Sequence, residues 1–258
     1  VEITNSEAKR FDGLDYGRLG GGGLLKPAGH LHEKSHPGAV MVPMRLFAGI
    51  LPGDSREICS AARTRSFARG ETLYREGDPI QRALLLTSGY AKITQLGRSG
   101  TEAILRMGVP GDVVDPVCLF STGKHSTTAQ AFRLCNALVW DAPTFSTLAR
   151  RYPVLYRNMV QVFGEYTLEL EERFREVATE RVGPRVARQL ARLAAKIGQP
   201  AGGAVVVALS RQELADMTGT TLFTVSRLLS AWEERGMVRP SREAVAVCDV
   251  QSLLQVFD

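Results

Sequence analysis

Between residues 209 and 238 the chain reads LSRQELADMTGTTLFTVSRLLSAWEERGMV, a stretch that leaves little choice of structure. Ser210 stands at an N-cap position and Glu213 follows three residues later, a spacing at which each satisfies a free backbone N–H of the other. Leu214 and Met217 then face inward, and Gly219 permits a turn that a Cβ would resist. Beyond it Val225, Leu228, Leu229 and Trp232 recur at the helical period, a narrow apolar stripe. Phe223, Arg227, Ser230 and Glu234 fall on the opposite face, with Ser226 on the flank. The segment is predicted to be two short helices joined by a tight turn, the second buried on one side and offered to a partner on the other. An αα-hairpin inside an ordinary core is the bland alternative.

A chain of 258 residues holds about two domains with cores of their own. Its 44% hydrophobic and 23% charged residues are those of a soluble globular protein, which excludes a fibrous or disordered chain. The net charge of +5 favours a polyanionic partner without demanding one. Cys59, Cys118, Cys135 and Cys248 form no C-x-x-C pair, the pattern of reduced thiols rather than of a disulfide framework or zinc knuckle. No apolar run approaches the ~18 residues that span a bilayer, and no signal-peptide pattern opens the chain. The expectation is a cytoplasmic protein with no membrane partner.

Residues 1–42 read as a flexible extension, with Gly20 to Gly23 in a row and no sustained apolar period. His30, His32 and His36 cluster there, but a metal site needs further ligands in a rigid frame, and none is assigned. Met44 to Ile50 suggests a short helix, and Asp54 with Glu57 a capped second one through Ala62. Short strand-like runs then alternate with glycines at Gly70, Gly77, Gly89, Gly97, Gly100, Gly108 and Gly111, the mark of a small all-β roll over residues 43–151. Pro153 opens a long helix (152–182 with its hinge) that runs to Gly183-Pro184. Along it Met159, Phe163, Tyr166, Leu170, Phe174 and Val177 recur every three or four residues, a stripe that suits pairing with a second copy; packing against the roll alone is the alternative. In residues 183–258 a helix from Pro184 to Ile197 and a strand over 204–209 precede the two capped helices. A hairpin around Ser241 to Ala244 and a last helix capped by Asp249 follow them. The fold class is α+β: an N-terminal β-roll (a double-stranded β-helix or jelly-roll-like unit), a long dimerisation helix and a C-terminal winged helix-turn-helix.

Through Arg211, Gln212, Glu213, Gly219, Thr224, Val225, Ser226, Arg227 and Leu228 the first-discussed segment resembles the helix-turn-helix of the cyclic-AMP receptor / fumarate-nitrate regulator (Crp/Fnr) family of bacterial transcription factors. Phe67, Gly70, Leu73, Gly77, Asp78, Gly89, Lys92, Ile93, Gly111 and Asp112 are similarly placed to that family's cyclic-nucleotide-binding roll. The resemblance implies a homodimer that sets two recognition helices about 34 Å apart on an inverted-repeat operator of double-stranded DNA, with RNA polymerase as a further partner; no enzymatic activity is expected, since no histidine of the expected ordered domains lies near a plausible nucleophile–acid set. It implies Arg227 as the guanine reader, Ser226 as its neighbour on the bases, and Arg211, Gln212, Thr221 and Thr224 as phosphate contacts. Arg242 and Arg239 in the wing would add further phosphate contacts, or serve solubility alone. One departure is Phe223, where many members carry a Glu that accepts from cytosine. With Leu222 it makes an apolar pair that suits either a thymine methyl or a protein contact.

The sensor half departs further. In cyclic-AMP-binding relatives an Arg-Ser pair holds the phosphate and a Glu the ribose. The corresponding run here is GDVVDPVCLFSTGKHSTTAQAF: Ser126 remains, His125 stands for the arginine and Pro116 for the glutamate, with one residue deleted. Leu170 and Glu171 fall where adenine-binding hydroxyls would lie. Asp115, Pro116, Val117, Cys118, His125, Ser126 and Thr127 are the effector-pocket candidates, and cyclic AMP is not the expected ligand, since histidine is a poor substitute for a permanent bidentate cation. The G-K-H run lacks the glycine and hydroxyl of a phosphate loop, and the cysteines do not cluster as iron–sulfur ligands. No cofactor is expected, and the effector is either another molecule or none. Cyclic-nucleotide control and a scaffold module whose winged domain contacts protein are the alternatives.

Overall fold

The computed structural model describes residues 44–116 and 123–256, so the N-terminal extension with its histidines lies outside the described residues. A 3-10 turn (Arg45–Phe47) leads into helix α1 (Pro52–Ser60). The helix opens two residues before Asp54, the start expected from sequence. Pro52 at its first turn has φ already set and lacks only an N–H that a helix leaves unbonded there.

Strands β1 (Arg63–Phe67), β2 (Thr72–Tyr74), β3 (Arg82–Ser88), β4 (Ala91–Leu96), β5 (Glu102–Gly108), β6 (Thr128–Ala131) and β7 (Cys135–Asp141) follow. They form two antiparallel sheets, ordered β1-β7-β3 and β2-β6-β4-β5, which close as the expected roll. The unbroken apolar run of β3 has a simple cause: both its faces are covered. Leu84 and Leu86 pack inside the roll with Phe67, Ile93 and Ala129, while Ala83 and Leu85 pack on Trp140, Phe145, Leu155 and Met159. Gly89, between β3 and β4, has φ +70° and a Cβ there would lie 2.1 Å from the Leu134 carbonyl, so both conformation and space require glycine.

Helix α2 (Ala142–Arg151) turns directly into α3 (Pro153–Thr179). One side of α3 buries Leu155, Asn158, Met159 and Val162 against the roll. The Asn158 amide donates to the Leu46 and Ala48 carbonyls at 2.9 and 2.8 Å, fastening the first turn of the domain to this helix. Met159, expected on a dimer stripe, is fully buried in this intramolecular packing. Tyr166 is also turned inward, with the Arg106 guanidinium 4.0 Å over its ring. The outward stripe is Tyr156, Val160, Phe163, Thr167, Leu170, Phe174 and Val177, all exposed. Its steps alternate four and three, the repeat that keeps one seam facing a partner helix.

The helix breaks at Glu180 and Arg181, and α4 (Val182–Ile197) begins there, upstream of the expected break at Gly183-Pro184. Pro184 sits within the first turn of α4, where its missing N–H leaves no bond unmade. A strand not anticipated, β8 (Gln199–Ala201), pairs through Gly202-Gly203 with β9 (Ala204–Val207), which ends two residues before Leu209. Helices α5 (Arg211–Thr218) and α6 (Leu222–Glu234) come next, then the wing of β10 (Val238–Pro240) and β11 (Val245–Val247), and α7 (Val250–Leu254). The sheet order β10-β11-β9-β8 completes a winged helix-turn-helix.

The two halves share a core. Val186, Leu190, Leu214, Val225 and Trp232 of the winged domain lie in one hydrophobic cluster with Ile104 and Met107 of β5. Arg173 of α3 binds both sides, donating to the Ile104 and Leu105 carbonyls on β5 and, at 2.7 Å, to the Met217 carbonyl at the end of α5. Below it Glu176, 1% exposed, accepts two bonds from Arg192 at 2.6 and 2.8 Å and one from Arg188 at 3.3 Å.

Candidate nucleic-acid interface and sensor cavity

The capping box at the head of α5 is formed in full. The Ser210 hydroxyl accepts from the Glu213 N–H at 3.2 Å, and the Glu213 carboxylate accepts from the Ser210 N–H at 2.7 Å. Gly219 ends α5 in the left-handed region at φ +60°. Two residues later Thr221 caps α6, its hydroxyl accepting from the Thr224 N–H at 3.2 Å. These local devices aim α6, and Val225, Leu229 and Trp232 anchor it from below.

What α6 presents outward is the first candidate site. Arg227 is exposed, with no ion-pair partner among the described residues, and Ser226 and Thr224 are partly exposed beside it. Thr221 and Thr224 spend one hydroxyl contact on each other at 3.0 Å, which leaves a donor for a phosphate oxygen. At the head of α5, Gln212 is exposed and donates one amide N–H to Asp216 at 2.7 Å, which leaves its second N–H for a phosphate oxygen. Arg211 is partly buried, and its Nε makes no hydrogen bond among the described residues. In the wing Arg239 and Arg242 are exposed, and the Ser241 N–H and hydroxyl both bond the Ala244 carbonyl to close the turn. Leu222 and Phe223 are 46% and 76% exposed at the opening of α6.

The effector candidates divide. Asp115, Pro116, Ser126 and Thr127 line a cavity of about 180 Å³ between the roll and α3, closed on the helix side by Phe163, Tyr166 and Leu170. Val117 and Cys118 lie outside the described residues. His125 does not line that cavity. It is buried behind Tyr74, its ring stacked at 4.0 Å and its Nδ1 2.5 Å from the Asp115 carboxylate. The residue aligned with a phosphate-binding arginine is therefore turned into the wall and bound to an acid.

Sequence reasoning missed the cation that the cavity does hold. Arg106 on β5 donates to the Val113 and Val114 carbonyls, lies over Tyr166, and has Asp112 at 4.0 Å. Burial pushes the Tyr166 phenol well above its ordinary range. The signal was an arginine inside the otherwise apolar run AILRM, which calls for a buried partner. Arg173 lines the same cavity, so its wall is continuous with the contact between the roll and α5.

Comparison with known proteins gives two domain matches on this chain, "Cyclic nucleotide-binding domain" over residues 64–152 and "Crp-like helix-turn-helix domain" over residues 184–256. A CRP-like cAMP-activated global transcriptional regulator of Mycobacterium tuberculosis is 25% identical over 210 residues, covering 81% of this chain and 94% of the relative. The cyclic AMP receptor protein of Thermus thermophilus is 26% identical over 211 residues, with 82% and 95% covered. A global nitrogen regulator of Synechocystis is 27% identical over 197 residues, with 74% and 87% covered. In fold the chain is similar to the c-di-GMP responsive global regulator CLP of Xanthomonas campestris, with TM-score 0.69 at 18% identity over 76% of this chain and 98% of that one. It is also similar to a transcriptional regulator of the CRP/FNR family from Thermus thermophilus, with TM-score 0.65 at 23% identity over 74% and 96%.

Proposed function

This chain belongs to the Crp/Fnr family of DNA-binding transcription regulators, and on that premise we propose that it acts as a homodimer on an inverted-repeat operator, under an effector other than cyclic AMP or under none. The observation that carries the reading is the outward face of α6. Arg227 stands exposed on a helix that is capped at Thr221 and buried along Val225, Leu229 and Trp232. A guanidinium so placed can give two hydrogen bonds to guanine O6 and N7, while the flanking hydroxyls and wing arginines meet phosphates.

Dimerisation is supported by the heptad on α3, whose Phe174 is 73% and Leu170 53% exposed. An apolar seam of that length is costly in water and is covered when two copies pair. The effector reading is supported by the cavity. Its wall between the roll and α3 is largely apolar, with Ile93, Leu105, Val114, Phe163 and Leu170. Of the phosphate-side pair only Ser126 lines the cavity, His125 being committed to Asp115, and Pro116 stands where the ribose-binding glutamate would be.

Cyclic-nucleotide control is the second reading, favoured by the match over residues 64–152 and by what the Mycobacterium relative is said to respond to. The separating experiment is a titration of promoter fragments with the full chain at several salt concentrations, with and without cyclic AMP. Binding that weakens steeply with salt and ignores the nucleotide is expected. Salt-insensitive binding favours a scaffold role, and nucleotide-dependent binding favours the second reading. RNA polymerase as a further partner is part of the same proposal.

A further inference from the structure

Leu222 and Phe223 are not accounted for by packing, since both open α6 at 46% and 76% exposure while the apolar residues that anchor the helix are buried. Their placement is informative. Phe223 and Arg227 are one turn apart on the same side of α6, and Leu222 lies over Ser226 on the adjoining side. Four residues rise about 6 Å along the helix axis, which is less than two base-pair rises of about 3.4 Å each.

We propose that Phe223, flanked by Leu222, reads the C5-methyl group of a pyrimidine in the major groove, within two base steps of the guanine held by Arg227. In an unmodified operator that pyrimidine is thymine. The inference deepens the DNA-binding reading and rests on it. A phenyl ring neither donates nor accepts, so a cytosine amino group or a guanine acceptor beneath it would lose water and gain no bond. The thymine edge alone adds an apolar group there, and phenyl against methyl is a recognised pairing.

A protein partner fits the same patch less well. Arg227 one turn away is an exposed cation with no ion pair among the described residues, and the hydroxyls of Thr221, Thr224 and Ser226 flank it, a polar and basic setting that suits a polyanion better than an apolar protein surface. Two apolar side chains set into a face of arginine and hydroxyls match a groove floor, where methyls, acceptors and phosphates alternate. Phe223 extends the DNA-binding face already described.

The test begins with site selection from a random duplex library at fixed salt, using the full chain. The selected duplex is then titrated in four forms that differ at one position per half-site: thymine, deoxyuridine, cytosine and 5-methylcytosine. Deoxyuridine removes only the methyl. The expected result is a half-site with guanine and thymine within two steps, and binding weakened about fourfold for each methyl removed, the worth of one buried carbon. 5-Methylcytosine should bind more tightly than cytosine by a similar factor. Phe223→Ala, at an exposed position that leaves the fold intact, should erase both differences and keep the guanine preference. Equal binding of the thymine and deoxyuridine duplexes overturns the proposal alone, as does a thymine preference that survives Phe223→Ala. A chain that selects no site overturns it together with the reading on which it rests.

Discussion

Among the described residues nothing competes for the guanidinium of Arg227, the proposed guanine reader. It is exposed and has no ion-pair partner among the described residues, whereas Arg185, at the start of α4, spends its donors on the Thr218, Val177 and Glu180 carbonyls. Arg227→Ala should cost about 1–3 kcal/mol of discrimination against a changed guanine and leave stability unaltered, as competition titrations with altered operators would measure. Arg227→Lys should keep most of the non-specific affinity and lose the guanine preference, since an ammonium is not a two-donor fork. Residues whose role is local were legible in the chain. The Ser210–Glu213 box, the Asp249 cap and the turn at Gly219 depend on three or four neighbours, and all are formed. His125 was legible only by alignment. Alignment fixes a position along the chain, but the direction of its ring is set by Asp115 ten residues away and by Tyr74 on β2.

Helix α3 shows the same limit at the scale of an element. Its length and its need of a partner follow from the apolar period, but the helix carries two apolar sides, and the period does not say which meets the roll. Met159 and Val160 are adjacent in sequence and about 100° apart around the helix, one fully buried and the other exposed. The distinction is testable. Phe174→Glu should convert the proposed dimer to monomers in sedimentation experiments by placing a charge in the seam. Met159→Ala should leave assembly unchanged and destabilise the chain by about 2–5 kcal/mol through the cavity it opens. At the far end of the helix, burial raises the pKa of Glu176, but the bonds and charges of Arg192 and then Arg188 outweigh it and hold the carboxyl below its ordinary value. A group depressed in the folded state contributes stability fully above its unfolded pKa and loses it as pH falls through the folded one. Melting temperature should therefore fall more steeply below about pH 4.5 in the parent chain than in Glu176→Gln. At pH 7 the variant should be the less stable of the two by about 1–3 kcal/mol.

Over the whole molecule, the consequential feature is that the sensor and the reader share one core. Two domain matches separated by a helix suggested independent units, and no local pattern marks Ile104 and Met107 as residues that complete the winged domain's cluster. Arg173 makes this contact directional. Its guanidinium lines the cavity and at the same time holds carbonyls of β5 and of α5, so a molecule that enters beside it competes with the bond to Met217. Burial, and then the neighbouring charge of Arg192, lowers the pKa of Arg173, the direction expected of a guanidinium withdrawn from water. Arg173→Ala should remove that tie without touching the exposed seam of α3. Sedimentation should still report a dimer, while hydrogen exchange should quicken at the end of α5 and along β5. Calorimetry should show the single transition of the parent separating into two, with the winged domain melting first after losing about 1–3 kcal/mol of charged hydrogen bonding. Unchanged exchange at Thr218 and at Ile104 would mean that the shared hydrophobic cluster alone couples the halves and that the cavity has no lever on the reader.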